Sequence, residues 1–123
     1  MRNVKCAVLF ILAAAGTASA YDLSETEMSV VEDGVRNELR DPDSARFDTM
    51  LAEKGSDDLT SVCGFVNAKN GYGGYTGMVP YLGNLLMRDQ NRGMFFVTMI
   101  GDDAAGAQVV YEMCAEKGIQ LSQ

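Results

Sequence analysis

Histidine is absent from all 123 residues. That excludes Ser-His-Asp and Cys-His nucleophilic sets and the usual imidazole zinc sites. It also removes the one side chain whose ordinary pKa lies near neutrality. Acid–base chemistry would fall to carboxylates, a lysine or a tyrosine, and no spacing nominates one. Positive charge is scarce as well: ten Lys and Arg stand against seventeen Asp and Glu, a net charge of −7. Nucleic acid and anionic membrane surfaces are poor partners for such a chain, because each needs a basic face. Internal repeats, low-complexity tracts and linkers are lacking. The glycines at 73 and 74 are followed by neither a GK[ST] ending nor a strand-to-helix context, so they form no phosphate loop.

What is present begins with an address. Arg2 and Lys5 precede the apolar run Ala7 to Ala15, and Ala18-Ser19-Ala20 offers small side chains for a signal peptidase. The run is too short to anchor in a bilayer. Residues 1–20 therefore read as a signal peptide cleaved after Ala20, and 21–123 as a single domain that is periplasmic or secreted. Cys6 lies before the apolar run rather than at its end, so it does not fit a lipoprotein and leaves with the signal. Loss of Arg2 and Lys5 leaves eight basic residues against seventeen acidic ones, a net charge of −9. No stable membrane insertion is expected after cleavage.

Cys63 and Cys114 remain. An even pair in a small exported domain is most simply a structural disulfide. A redox pair or thiolate metal ligands are the alternatives, but redox cysteines usually stand two residues apart at a helix start.

Ser24-Glu25-Thr26-Glu27 reads as a capping box that opens a helix with Met28, Val31, Val35 and Leu39 on one apolar stripe. Pro42 should end it near Arg40-Asp41. Asp41-Pro42-Asp43-Ser44 then reads as an Asx-type turn, since the later ligands of a calcium loop are missing. Ala45–Leu51, Leu59–Lys69, Tyr72–Leu82 and Met94–Ile100 have strand character, with Asn70-Gly71 as a two-residue hairpin turn. A second helix runs from Asp102 or Asp103 to Lys117-Gly118, with Ala107, Val110 and Cys114 on one face. The order predicts an α+β fold: an N-terminal helix, a four-stranded antiparallel meander resembling a cystatin-like roll, and a C-terminal helix tied to the sheet through Cys63 and Cys114. Phe95-Phe96 suits either a two-sided core or a subunit contact.

Two segments resemble stretches of small exported bacterial proteins. Asp41 to Phe47 (DPDSARF) is similar to their DPxSAxF segment, and Val62 to Gly77 to their VCGxVNxKNxxGGYxG block. A helix-borne cysteine near the C-terminus also matches, whereas Phe65 stands where relatives often carry a polar or charged residue. The resemblance implies secretion and a shared fold, with no assigned activity.

The block supplies the candidate binding residues. Asn67, Lys69 and Asn70 alternate with apolar neighbours, and Tyr72 and Tyr75 flank the double glycine. Amides, an ammonium and two phenols could grip a sugar, peptide or acidic ligand; alternatively they shape a twisted strand. The seven methionines beyond Met1 are scattered, which favours core packing over a copper site. No cofactor or metal is expected. The reading is a non-enzymatic exported domain that binds a protein or glycan partner in the envelope or outside the cell, an inhibitor of a basic enzyme being one version. The alternatives are a small hydrolase or transferase using carboxylates or Lys69, and a structural component of an envelope assembly.

Overall fold

Ser24 opens the first helix as its sequence indicates: its hydroxyl accepts from Glu27 N at 3.1 Å, and Ser24 N donates to the Glu27 carboxylate at 3.0 Å. The computed structural model describes residues 20–122, so the signal-peptide reading of Met1–Ser19, Cys6 included, lies outside the described residues. Helix α1 spans Glu25–Arg36. It stops four residues before the predicted Arg40. Glu38 N donates to Val35 O and Leu39 N to Arg36 O, three-residue bonds that tighten the chain and turn Leu39 back toward the core.

Four strands follow: β1 (Arg46–Lys54), β2 (Thr60–Asn67), β3 (Val79–Met87) and β4 (Gly93–Ile100). They form one antiparallel meander in the order β1-β2-β3-β4. Leu85-Leu86-Met87 completes β3, which runs beyond the expected end at Leu82. Helix α2 (Ala104–Glu116) starts where Asp103 accepts from Gly106 N at 2.6 Å, and Gly118 takes the left-handed conformation (φ 82°) just past its end.

The two helices cover opposite faces of the sheet. Val31 and Val35 of α1 pack with Val62, Val66, Tyr81, Leu85 and Phe95. Val110 and Cys114 of α2 pack with Cys63, Leu82 and Ile119. Successive strand residues point to opposite faces, so β2 is buried from Thr60 to Val66 and its apolar run serves two cores. Fully burying an aliphatic side chain such as Val31 stabilises by roughly 1.5–3 kcal/mol. Gly34 lets α1 approach β4 closely, because a Cβ there would lie 2.7 Å from Phe95 O. Close packing thus explains a residue that helix propensity disfavours.

Cys63 on β2 and Cys114 on α2 form a disulfide with Cα atoms 6.4 Å apart, tying the C-terminal helix to the sheet. Phe95 is buried at 7 % exposure, whereas Phe96 is 50 % exposed on the opposite face, beside Leu86 and Met94. Among the described residues, no helix is long and apolar enough to cross a membrane.

Candidate functional site

The two motif-bearing segments meet in space. Pro42–Ser44 forms one 3-10 turn after α1, with Pro42 at its start. The Asp41 side chain makes no capping bond, so the turn is not the Asx type read from sequence. The Ser44 hydroxyl closes the turn in another way, donating to Asp41 O at 2.7 Å. Ser44 Oγ in turn accepts from Lys69 N at 2.9 Å. The Tyr75 hydroxyl donates to Ser44 O at 3.0 Å. Ser44 is therefore the pin that fastens the β2–β3 loop to the turn leaving α1.

The loop itself corrects the predicted hairpin. Asn70-Gly71 does not form a two-residue turn leading straight into a strand at Tyr72, because β3 begins only at Val79. Asn70 N donates to Gly74 O at 2.8 Å, while the Asn70 side-chain oxygen accepts from Tyr72 N at 2.9 Å and Gly74 N at 3.2 Å. A short side chain that hydrogen-bonds nearby backbone competes with the strand ladder. An isolated bridge between Lys69 and Tyr75 closes the base of this tip. Further along, Asn67 Oδ1 accepts from Gly77 N at 3.1 Å, and Gly77 sits at φ 96°, which favours glycine.

The five predicted residues thus divide. Asn67 and Asn70 hold backbone, and Tyr75, 37 % exposed, is fixed through its hydroxyl. Tyr72 is 100 % exposed at the tip. The Lys69 ammonium lies 5.6 Å from the Tyr75 ring centroid, and the Arg46 guanidinium lies 4.3 Å from it. Arg40 approaches the same tip: a Cβ on Gly71 would lie 3.5 Å from Arg40 Nη1. Arg40, Arg46 and Lys69 make no ion pair among the described residues; Arg36 pairs with Glu32 and Asp33, and Arg92 with Asp89.

Sequence reasoning missed Arg40 and Arg46. Arg46 stands inside the DPxSAxF stretch, and the signal that could have found it is its place one residue before Phe47. Asp41 precedes the same turn and Asp43 lies within it, so the face is mixed in sign. Among the described residues, no group of three Cys, Asp or Glu side chains is placed to hold a metal ion.

Known protein families, curated proteins and solved structures offer no match to this chain. The site must be read from its own geometry.

A cleft of about 290 Å³ opens beneath the loop on the α1 side of the sheet. Leu39, Val79 and Ile100, each half-buried, give it an apolar floor beside Val66. Arg40 and Lys69 line it, as do Glu38 and Asp102.

Proposed function

We propose that this is an exported, non-enzymatic domain that binds a protein or glycan partner of the cell envelope or exterior through the Asn67–Tyr75 loop. One observation carries the reading. The loop is fixed by at least six hydrogen bonds, yet its tip presents Tyr72 wholly to solvent. An exposed aromatic on a pre-shaped loop is a low-entropy contact, since little ordering remains to be done on association. Tyrosine and arginine are also the residue types that dominate binding hot spots, and Arg46 stands against the Tyr75 ring beside it.

Export rests on the tripartite N-terminus and agrees with a bridged cysteine pair, which persists in oxidising compartments. Cleavage after Ala20 leaves the Tyr21 nitrogen able to donate to Ala52 O, as it does at 3.0 Å. The alternative of carboxylate and lysine catalysis has weaker support. Lys69 lines the cleft with Glu38 and Asp102 but is within 4.0 Å of no carboxylate among the described residues, so no partnered acid and base stand ready.

The test is recovery of partners from envelope extract on the immobilised mature domain, followed by both protein and carbohydrate analysis. The expected result is a partner retained at low salt, weakened at high salt, and lost with Tyr72→Ser. Recovery of nothing under either condition, or recovery indifferent to Tyr72→Ser, overturns the reading.

A further inference from the structure

We infer that the cleft beneath the loop receives the carboxyl-terminal residue of a polypeptide, a free carboxylate and an apolar side chain carried on one α-carbon. The inference rests on the reading of this loop as a binding surface and narrows its partner from protein or glycan to a protein or peptide terminus.

Size comes first. At about 290 Å³ the cleft lies at the lower end of ligand sites, which run to about 300–1,000 Å³. It takes the end of a chain rather than a folded surface or a long oligosaccharide. Its floor of Leu39, Val79 and Ile100 is wholly aliphatic, which matches an apolar side chain. Asn70 and Thr76 add polar groups that a peptide backbone can meet, and no aromatic ring for a sugar face to stack on lines it among the described residues. Beside that floor stand Arg40 and Lys69, whose charged ends have no ion-pair partner among the described residues. A cation with free donors binds a carboxylate by charge-assisted hydrogen bonds.

Glu38 and Asp102 decide how much negative charge the ligand carries. They line the same cleft, so its formal charge sums to zero. A polyanion such as a uronic-acid glycan gains at two side chains what it loses at the other two. A single carboxylate that reaches Arg40 or Lys69 gains attraction, and the peptide N–H groups that precede it can donate to the carboxylates of Glu38 and Asp102. An internal Asp or Glu side chain carries its carboxylate on a short stem with no apolar group beside it. A terminal Leu, Val or Ile carries both features on one carbon, as the juxtaposed floor and cations require.

The experiment titrates the mature, oxidised domain with acetyl-Ala-Leu as free acid, the same dipeptide as C-terminal amide, and an oligouronate, reading backbone amide shifts by NMR and affinity by calorimetry. The free acid should shift the amides of Lys69, Asn70 and Val79 and bind about tenfold more tightly than the amide, roughly one charge-assisted bond. Lys69→Ala should weaken the acid by a similar factor, whereas Lys54→Ala, on the far side of the molecule against Tyr21, should leave it unchanged. Equal affinity for acid and amide, preference for the oligouronate, or no binding of the dipeptide acid overturns the inference. If the dipeptide acid fails while Tyr72-dependent recovery from envelope extract persists, the cleft assignment falls and the loop reading stands.

Discussion

Replacing Tyr81 with phenylalanine should stabilise the protein, although it deletes a polar group from the centre of the core. Tyr81 is 0 % exposed, and its ring meets Phe47 and Phe95 edge-on at centroid distances of 6.4 and 6.3 Å. Its hydroxyl has no hydrogen-bond partner among the described residues. Burial, with the Glu32 charge adding to it, pushes the phenol pKa far up, so the group stays neutral and cannot recover solvation by ionising. A buried, unpaired polar group costs roughly 1–3 kcal/mol. Removing one oxygen leaves a void of about 20 Å³, which at about 24 cal/mol/Å³ returns roughly 0.5 kcal/mol of that gain. The net expectation is about 1–2 kcal/mol of added stability, or a Tm higher by about 5 °C or more for a domain of this size. Urea unfolding of wild type and Tyr81→Phe, followed by circular dichroism at equal m-value, measures it. A variant less stable than wild type by about 0.5 kcal/mol or more refutes the reasoning, because the hydroxyl must then bond to water or backbone.

Gly64→Ala should destabilise by about 1–3 kcal/mol, since the new methyl would sit 2.5 Å from the Tyr81 hydroxyl and 2.7 Å from Thr49 O; combining it with Tyr81→Phe should restore part of the loss in a double-mutant cycle. Replacing Cys63 and Cys114 together by alanine should cost about 4 kcal/mol, the chain-entropy value for a closure between cysteines 51 positions apart, read as a lower urea midpoint. Asp89→Asn should lower Tm at neutral pH. Hydrogen bonds from Asn91 N and then the Arg92 side chain hold the Asp89 carboxyl below its ordinary value. A depressed folded pKa contributes stability above the ordinary value of 3.8, and that stability disappears as pH falls through the lower folded pKa. The Tm difference between the two proteins should therefore close in acid; a difference that persists there contradicts the assignment.

Much of the fold was legible because its signals are local. The capping box at Ser24 and Glu27, the acidic cap at Asp103 and the glycine at 118 mark helix ends through bonds spanning three or four residues. The end of α1 was not legible, because the tightening after Arg36 depends on Leu39 reaching a core assembled from distant strands. Asn70-Gly71 misled for a different reason. Its composition suits a two-residue turn, but the Asn70 side chain captures two backbone amides and delays β3 until Val79 pairs with Val66.

The candidate site was half visible. Lys69, Tyr72 and Tyr75 stood out in one stretch of sequence, whereas Arg40, Arg46 and Ser44 join them only through the fold. Asn67 and Asn70 carried the right chemistry for contact but face the backbone they support. A side chain's partner is set by three-dimensional neighbours, and spacing along a strand does not reveal whether an amide points to solvent or to its own loop.

The binding account is tested most directly by placing a photo-reactive benzoylphenylalanine at position 72 of the exported protein and irradiating intact cells. The account predicts a discrete covalent adduct that is lost when Arg46→Ala and Lys69→Ala are introduced and is absent when the probe sits at exposed Gln108 on α2. No adduct at position 72, or equal capture from position 108, contradicts it.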